Sequence, residues 1–247
     1  MSGGPGRLWA LGRAELVLLL RNRAALFIAV VLPLPLLAVA GAAGADPADQ
    51  ARALTGLFAL IMLGVVYYNL VTIFVARREE LVLKRLRTGE LTDAEILAGT
   101  AAPALLVGLI QMAVFVAGSA ALMGLPVPVN LPLLLLGIAG GLTVFVLLAA
   151  ASSAFTRTVE LAQLTTLPVL ALCVLGSGMI VPPDTLPGPV GDALRCLPMG
   201  PATELMRLGW AGGGSGTAAL VPAGVLAAWA VAGGLAVRRW FRWEPRR

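Results

Sequence analysis

The chain contains no histidine among its 247 residues. That excludes imidazole proton shuttles, His-based triads and the common His-containing zinc sites. Lysine is almost as scarce: Lys84 stands alone, and Leu83 precedes it. A phosphate-cradling P-loop needs a Gly-Lys pair ahead of Ser or Thr. No such pair exists here, so any ATP hydrolysis of that kind belongs to another polypeptide. Cysteine occurs twice, as Cys173 in an apolar run and Cys196 in a Pro-rich loop. That spacing suggests neither a disulfide framework nor a metal site, and both thiols read as unpaired. Charged residues make up only 13% of the chain, against about a quarter in an average globular domain. What is abundant is apolar: 59% hydrophobic residues and a mean hydropathy of +0.91. Too few charges remain to hydrate a soluble surface, and the chain reads as a membrane protein.

Six apolar runs approach or exceed the roughly 20 helical residues that cross a bilayer core about 30 Å thick. They are Ala24–Ala43, Leu54–Ala76, Ile96–Met123, Leu131–Ala151, Leu161–Val181 and Ala218–Val237. Lipid-buried backbone must satisfy its hydrogen bonds within the segment, so these continuous runs read as helices. Alternating short strands, the mark of a membrane barrel, are missing. Small residues recur within the runs, as in "GIAGGLTVF", and suit close helix packing. The expected fold is an all-α polytopic membrane protein with six transmembrane helices.

The net charge is +5 and the pI about 10.2. With the N-terminus inside, 15 of the 18 basic residues fall on the cytoplasmic side and Arg52, Arg195 and Arg207 outside. This asymmetry places both termini in the cytoplasm. It also disposes of nucleic acid as a partner, because the basic residues sit at membrane edges. Residues 1–23 read as a cytoplasmic amphipathic helix lying in the headgroup plane, with Arg7, Arg13 and Arg21 set among Leu8, Trp9, Leu11, Leu16, Val17 and Leu20. The run after it resembles a secretory signal. Its apolar part exceeds the usual 7–15 residues, however, and it reads as a retained first span. Residues 24–247 then form one six-helix domain. The outer loop 182–217 is too rich in Pro and Gly for one helix, and a pair of short interfacial helices is expected there. Glu204 and Arg207 within it are spaced for an i,i+3 pair.

One segment breaks the pattern. "VARREELVLKRLRTGELTDAEILAG", from Val75 to Gly99, holds ten ionisable residues: Arg77, Arg78, Glu79, Glu80, Lys84, Arg85, Arg87, Glu90, Asp93 and Glu95. Glu80 and Lys84 at i,i+4 support a short helix, with Leu81, Val82, Leu83 and Leu86 as its apolar positions. Gly89 reads as its stop. "TDAE" reads as a new start, with Thr92 as N-cap and Glu95 three residues on. A loop needed only for topology would explain the basic residues. It would not explain five acids against five bases beside an apolar ridge, which suits the docking of a protein.

This segment, after a span ending "YYNLVTIFVA", resembles the intracellular loop of bacterial ATP-binding-cassette type-2 permeases, the drug- and polysaccharide-export family. The N-terminal amphipathic helix, the six spans, "LPMGPATELMRLGW" before the last span and the tail "RRWFRWEPRR" follow the family's order. The chain departs from the pattern in two places: Leu81 stands where a Gly is common, and Gly89-Glu90 where Thr-Pro is common. The resemblance implies a subunit in the bacterial plasma membrane that binds no cofactor itself. ATP and Mg would sit on two copies of a separate ATPase subunit. A second permease subunit, most simply an identical copy, would complete the complex. Arg77, Arg78, Glu79, Glu80, Lys84, Arg85 and Arg87, within a coupling segment 77–95, would receive the ATPase. No residue would be catalytic.

Polar residues in the spans are few. Tyr67, Tyr68, Asn69, Gln111 and Thr143, with Thr72, either line a cargo path or hydrogen-bond between helices. A path with so few polar groups suits hydrophobic or amphipathic cargo, such as a drug, an antibiotic or a lipid-like molecule. An ion-coupled secondary transporter would be expected to bury ionisable groups at mid-membrane, and the six runs contain no Asp, Glu, Lys, Arg or His. A membrane-embedded enzyme or assembly factor would draw on Asp184, Asp192, Glu204 and Arg207, which form no paired acidic motif.

Overall fold

Lipid-facing backbone must pair with itself, and among the described residues every regular element is helical. The computed structural model describes residues 34–41, 46–87, 92–125, 127–212 and 217–244. The amphipathic segment 1–23, most of the first span, the Gly89 stop and the last arginines lie outside them. Helix α1 (Leu34–Gly41) is the described part of the expected first span. Helix α2 (Pro47–Ile61) continues through a π-helical segment (Met62–Tyr68) into α3 (Asn69–Glu79). Then come α4 (Val82–Arg87), α5 (Asp93–Met123), α6 (Leu131–Ser153), α7 (Ala162–Gly176), α8 (Gly188–Arg195), α9 (Gly200–Ala211) and α10 (Leu220–Trp240).

Among the described residues four helices are long and apolar enough to cross a membrane: Asp49–Glu79, Asp93–Ala121, Leu131–Ser153 and Leu220–Trp240. Apolar α7 has 15 residues, or roughly 22 Å at a rise of about 1.5 Å per residue. The expected run to Val181 is cut short because Gly178 turns the chain at φ +68° and Pro182-Pro183 follows. Met179, Ile180 and Val181 are left exposed beyond the helix.

Among the long helices α3, α6 and α10 share one direction and α5 runs opposite to them. The ends of α3, α6 and α10 and the start of α5 meet at one end of the bundle, here the charged end. There Arg77 reaches Thr100, Arg78 reaches the end of α6, and Lys84 meets Glu244. Near the far end, α8 and α9 form the expected pair of short helices, and Trp229 Nε1 on α10 donates to the Cys196 carbonyl at 2.8 Å. Helix α9 is not interfacial, though. Most of its residues are buried, from Gly200 to Thr203 and from Leu208 to Trp210. It enters the bundle against α6 because Gly137 and Gly141 leave a groove for Ala202 and Met206. The core lies between α6, α9 and the π-helical segment, with Tyr67, Phe58, Phe145 and Met62 fully enclosed.

Candidate functional site

The charged segment is built as two helices joined by a tight turn. Helix α3 carries the membrane-spanning rod on to Glu79, so Arg77 and Arg78 belong to its last turn. Cations are favoured there by the helix dipole. The chain then turns at Glu80 and Leu81, with the Leu81 amide donating to the Arg78 carbonyl at 3.1 Å. The expected Glu80–Lys84 pairing within one helix is therefore not made, because the helix breaks between them. Lys84 instead meets Glu244 at 3.1 Å.

Leu81 has φ +59°, in the left-handed region, and is 41% exposed. This is the position where the resembling family commonly has Gly. Left-handed backbone costs a residue with a Cβ about 1–2 kcal/mol, while Gly adds about 0.5–1 kcal/mol of chain entropy to lose on folding. We expect Leu81→Gly to leave the thermal midpoint of the purified protein unchanged or higher, and Leu81→Val to lower it. A clear loss with Gly would show that the leucine side chain holds the turn.

Helix α4 is amphipathic. Leu83 is fully buried, Val82 and Leu86 half-buried, and Lys84, Arg85 and Arg87 exposed. Arg87 Nε lies 3.3 Å from Asp93 and its guanidinium sits 5.0 Å over the Trp243 ring. The tail after α10 thus folds against α4, fixed by the edge-on stacks of Phe241 on Phe74 and Trp243 on Phe241. Thr92 caps α5 as expected: Glu95 accepts from the Thr92 amide and hydroxyl at 2.8 Å, and the Glu95 amide donates back to the Thr92 hydroxyl. Glu79, Glu80, Lys84, Arg85 and Arg87 form a solvent-facing surface of both signs. Its ion pairs are exposed and worth under about 1 kcal/mol each, so they do not tie the face up.

Arg78 stands apart from the other six residues. It is 2% exposed. Its Nη1 donates to the Ser153 carbonyl at 2.7 Å, and its Nη2 to the carbonyls of Thr156 at 2.5 Å and Arg157 at 3.4 Å. It fastens the charged segment to the end of α6. Arg77 is half-buried, with Nη1 3.2 Å from the Thr100 hydroxyl on α5.

The polar span residues divide. Tyr67 is fully buried, its hydroxyl 3.0 Å from the Ser152 hydroxyl and its ring edge-on to Phe145. Gln111 is buried too. Tyr68 is half-buried and Asn69 exposed on the outer side of the same rod, with Thr72 one turn on. Thr143 is exposed on another face, where its hydroxyl donates to the Ala139 carbonyl. That face borders a cavity of about 1090 Å³ between α5, α6 and α10. The structure therefore does not gather these five residues at one site.

Near the far end, Asp192 and Glu204 are each held by an arginine three residues on, Arg195 at 2.9 Å and Arg207 at 2.6 Å. Among the described residues no cluster of potential metal ligands is found, and the buried charged side chain is Arg78, at an end of the bundle rather than its middle. Cys173 is buried and Cys196 exposed, neither in a disulfide.

Sequence reasoning missed the inward role of Arg78 and the docking of the tail on α4. A signal for the first existed: Val71, Phe74 and Val75 mark a buried face whose i+7 position is residue 78. A family model described as ABC-2 type transporter matches residues 6–209. Among curated proteins none matches the chain.

Proposed function

The chain belongs to the ABC-2 type transporter family, and from that premise we propose that it is the permease subunit of a bacterial exporter driven by a separate ATPase. Members of this family work with ATPase subunits. In the reading proposed here, two ATPase subunits dock beneath the α3–α4 turn and α4, on the cytoplasmic face of the plasma membrane. Six spans and both termini inside complete the topology. The cargo is hydrophobic or amphipathic, and it passes between this subunit and a second, identical one. Tyr68 and Asn69 supply polar groups to that path, because within the polar set the half-buried Tyr68 and the exposed Asn69 lie next to each other on one rod. Tyr67 and Gln111 pack inside the subunit instead.

The observation that carries this reading is the mixed-sign face formed by Glu79 and Glu80 at the α3–α4 turn with Lys84, Arg85 and Arg87 on α4, presented by a chain without a P-loop and fastened by Arg78 to α6. ATP binding closes the ATPase pair and shifts α4. Because α3 is tied to the end of α6, the displacement reaches two spans together, as a rigid-body motion. The mixed charges set which ATPase docks and in what register.

Co-purification tests it. The tagged permease should retain an ATPase subunit, and the double reversal Lys84→Glu, Arg85→Glu should reduce retention about tenfold, as expected for two lost contacts near 0.7 kcal/mol each. Retention unchanged by the reversal would place the dock elsewhere. Cargo movement by the purified chain alone down a pH gradient would overturn the reading altogether.

A further inference from the structure

We propose that the cavity between α5, α6 and α10 is a binding site for an anionic phospholipid of the inner leaflet. The inference rests on the orientation proposed above, which puts the charged end at the cytoplasmic headgroups.

The cavity holds about 1090 Å³, at the upper end of the roughly 300–1,000 Å³ typical of ligand sites. Its depth matches a leaflet. The α6 wall runs from Ala139 to Leu147, about 12 Å at a rise of about 1.5 Å per residue, beside about 15 Å for half a hydrocarbon core. Leu97 and Leu105 of α5, Leu142 and Val146 of α6 and Val237 of α10 make the trough apolar. The mouth is different. Arg87 and Arg238 stand at its rim with Trp243, and Asp93 is the acid there, already engaged by Arg87. The rim keeps a net positive charge at the depth where lipid phosphates lie.

That pairing, an acyl-length apolar trough below and guanidinium with indole above, fits a lipid carrying an anionic phosphate headgroup. A purely apolar occupant would make no use of the positive charge that Arg238 adds to the rim. A soluble anion would leave the trough empty. The headgroup would bridge Arg87, the last residue of α4, to Arg238 at the end of α10. A bilayer lipid thereby becomes part of what holds the tail against the docking helix.

The test uses the full chain purified with its ATPase. It is placed in nanodiscs of equal parts phosphatidylglycerol and phosphatidylcholine with identical acyl chains, and the bound lipids are read by native mass spectrometry. Phosphatidylglycerol should be retained over phosphatidylcholine by about fivefold or more, the factor one arginine supplies near a membrane surface. Arg238→Gln should bring the ratio to within about twofold of unity. Gly234→Trp should expel both lipids. A Cβ at Gly234 meets nothing within 4 Å and Gly234 lines the trough, so the side chain starts in open space there, and an unchanged thermal midpoint checks that the fold accepts it. Equal retention of the two lipids, or a preference that survives both variants, overturns the proposal. So does a cross-link from Gly234→Cys to residues 1–33 or to a second copy of the chain. ATPase retention in the same samples keeps the readings apart: an ATPase retained without lipid preference sinks the lipid site alone.

Discussion

Arg78→Ala is expected to destabilise the charged end by about 2–4 kcal/mol, the cost of taking a charged donor from two buried carbonyls. The guanidinium is 2% exposed and donates to the carbonyls of Ser153, Thr156 and Arg157. Ser153 is the last residue of α6, where helix carbonyls lack partners within the helix. Without Arg78 the buried carbonyls of Ser153 and Thr156 lose a charged donor. Arg78→Met keeps much of the volume but none of the donors, so it should cost nearly as much as alanine. Arg78→Lys keeps the charge but loses the planar fork that spans two nitrogens, and should recover about half. Thermal unfolding of the purified protein reads the size of the effect. Hydrogen exchange at residues 153–161 reads its place, and protection there should fall first.

The same variants separate stability from coupling. Arg78 is absent from the solvent-facing surface, so Arg78→Lys should leave ATPase retention close to wild type while lowering transport per ATP hydrolysed. A purely structural arginine would change the thermal midpoint and nothing else. Should alanine cost under about 1 kcal/mol, the carbonyls are hydrated in the native state and the tie between α3 and α6 does not exist.

How much of this was legible beforehand follows from which forces write themselves into one dimension. Long apolar runs did, because crossing lipid is a local requirement, and the helices over 49–79, 93–121, 131–153 and 220–240 answer to it. The Thr92 capping box did, because cap and partner are three residues apart. The break between α3 and α4 did not. The i,i+4 pattern of "RREELVLKRLR" supports an unbroken helix, and only the backbone at Leu81 shows the turn. Nor did the end of α7, since "GMIV" continues the apolar run while Gly178 turns the chain. Contacts between distant residues left the least trace. Tyr67 with Ser152, Lys84 with Glu244 and Arg78 with the end of α6 are set by helix packing, which a single sequence does not spell out. The π-helical turn over Met62–Tyr68 has no marker we can name; such segments gather at functional sites, and this one ends beside the exposed Asn69.

The second large effect is expected where α9 enters the bundle. A Cβ at Gly137 would lie 2.9 Å from the Ala202 carbonyl oxygen and 2.9 Å from the Met206 backbone nitrogen. At Gly209 it would fall on the Leu134 backbone, 2.8 Å from the Cα. Backbone cannot step aside as a flexible side chain does, so the helices must separate. Gly137→Ala and Gly209→Ala should each cost about 2–3 kcal/mol, the upper part of the overpacking range. Separation at Gly209 also pulls on the far end of α6, because the Asn130 amide donates to the Gly209 carbonyl at 2.8 Å and Asn130 caps α6. Both variants relieve themselves by the same movement, so the double variant should cost less than the sum. Gly224→Ala is the control: its Cβ meets nothing within 4 Å on α10, and the gain in helix propensity should make it neutral or slightly stabilising. Full additivity would mean that Gly137 and Gly209 yield independently. That result would deny that α6 and α9 meet as one rigid face, with the small residues of "GIAGGLTVF" setting how closely the two backbones approach.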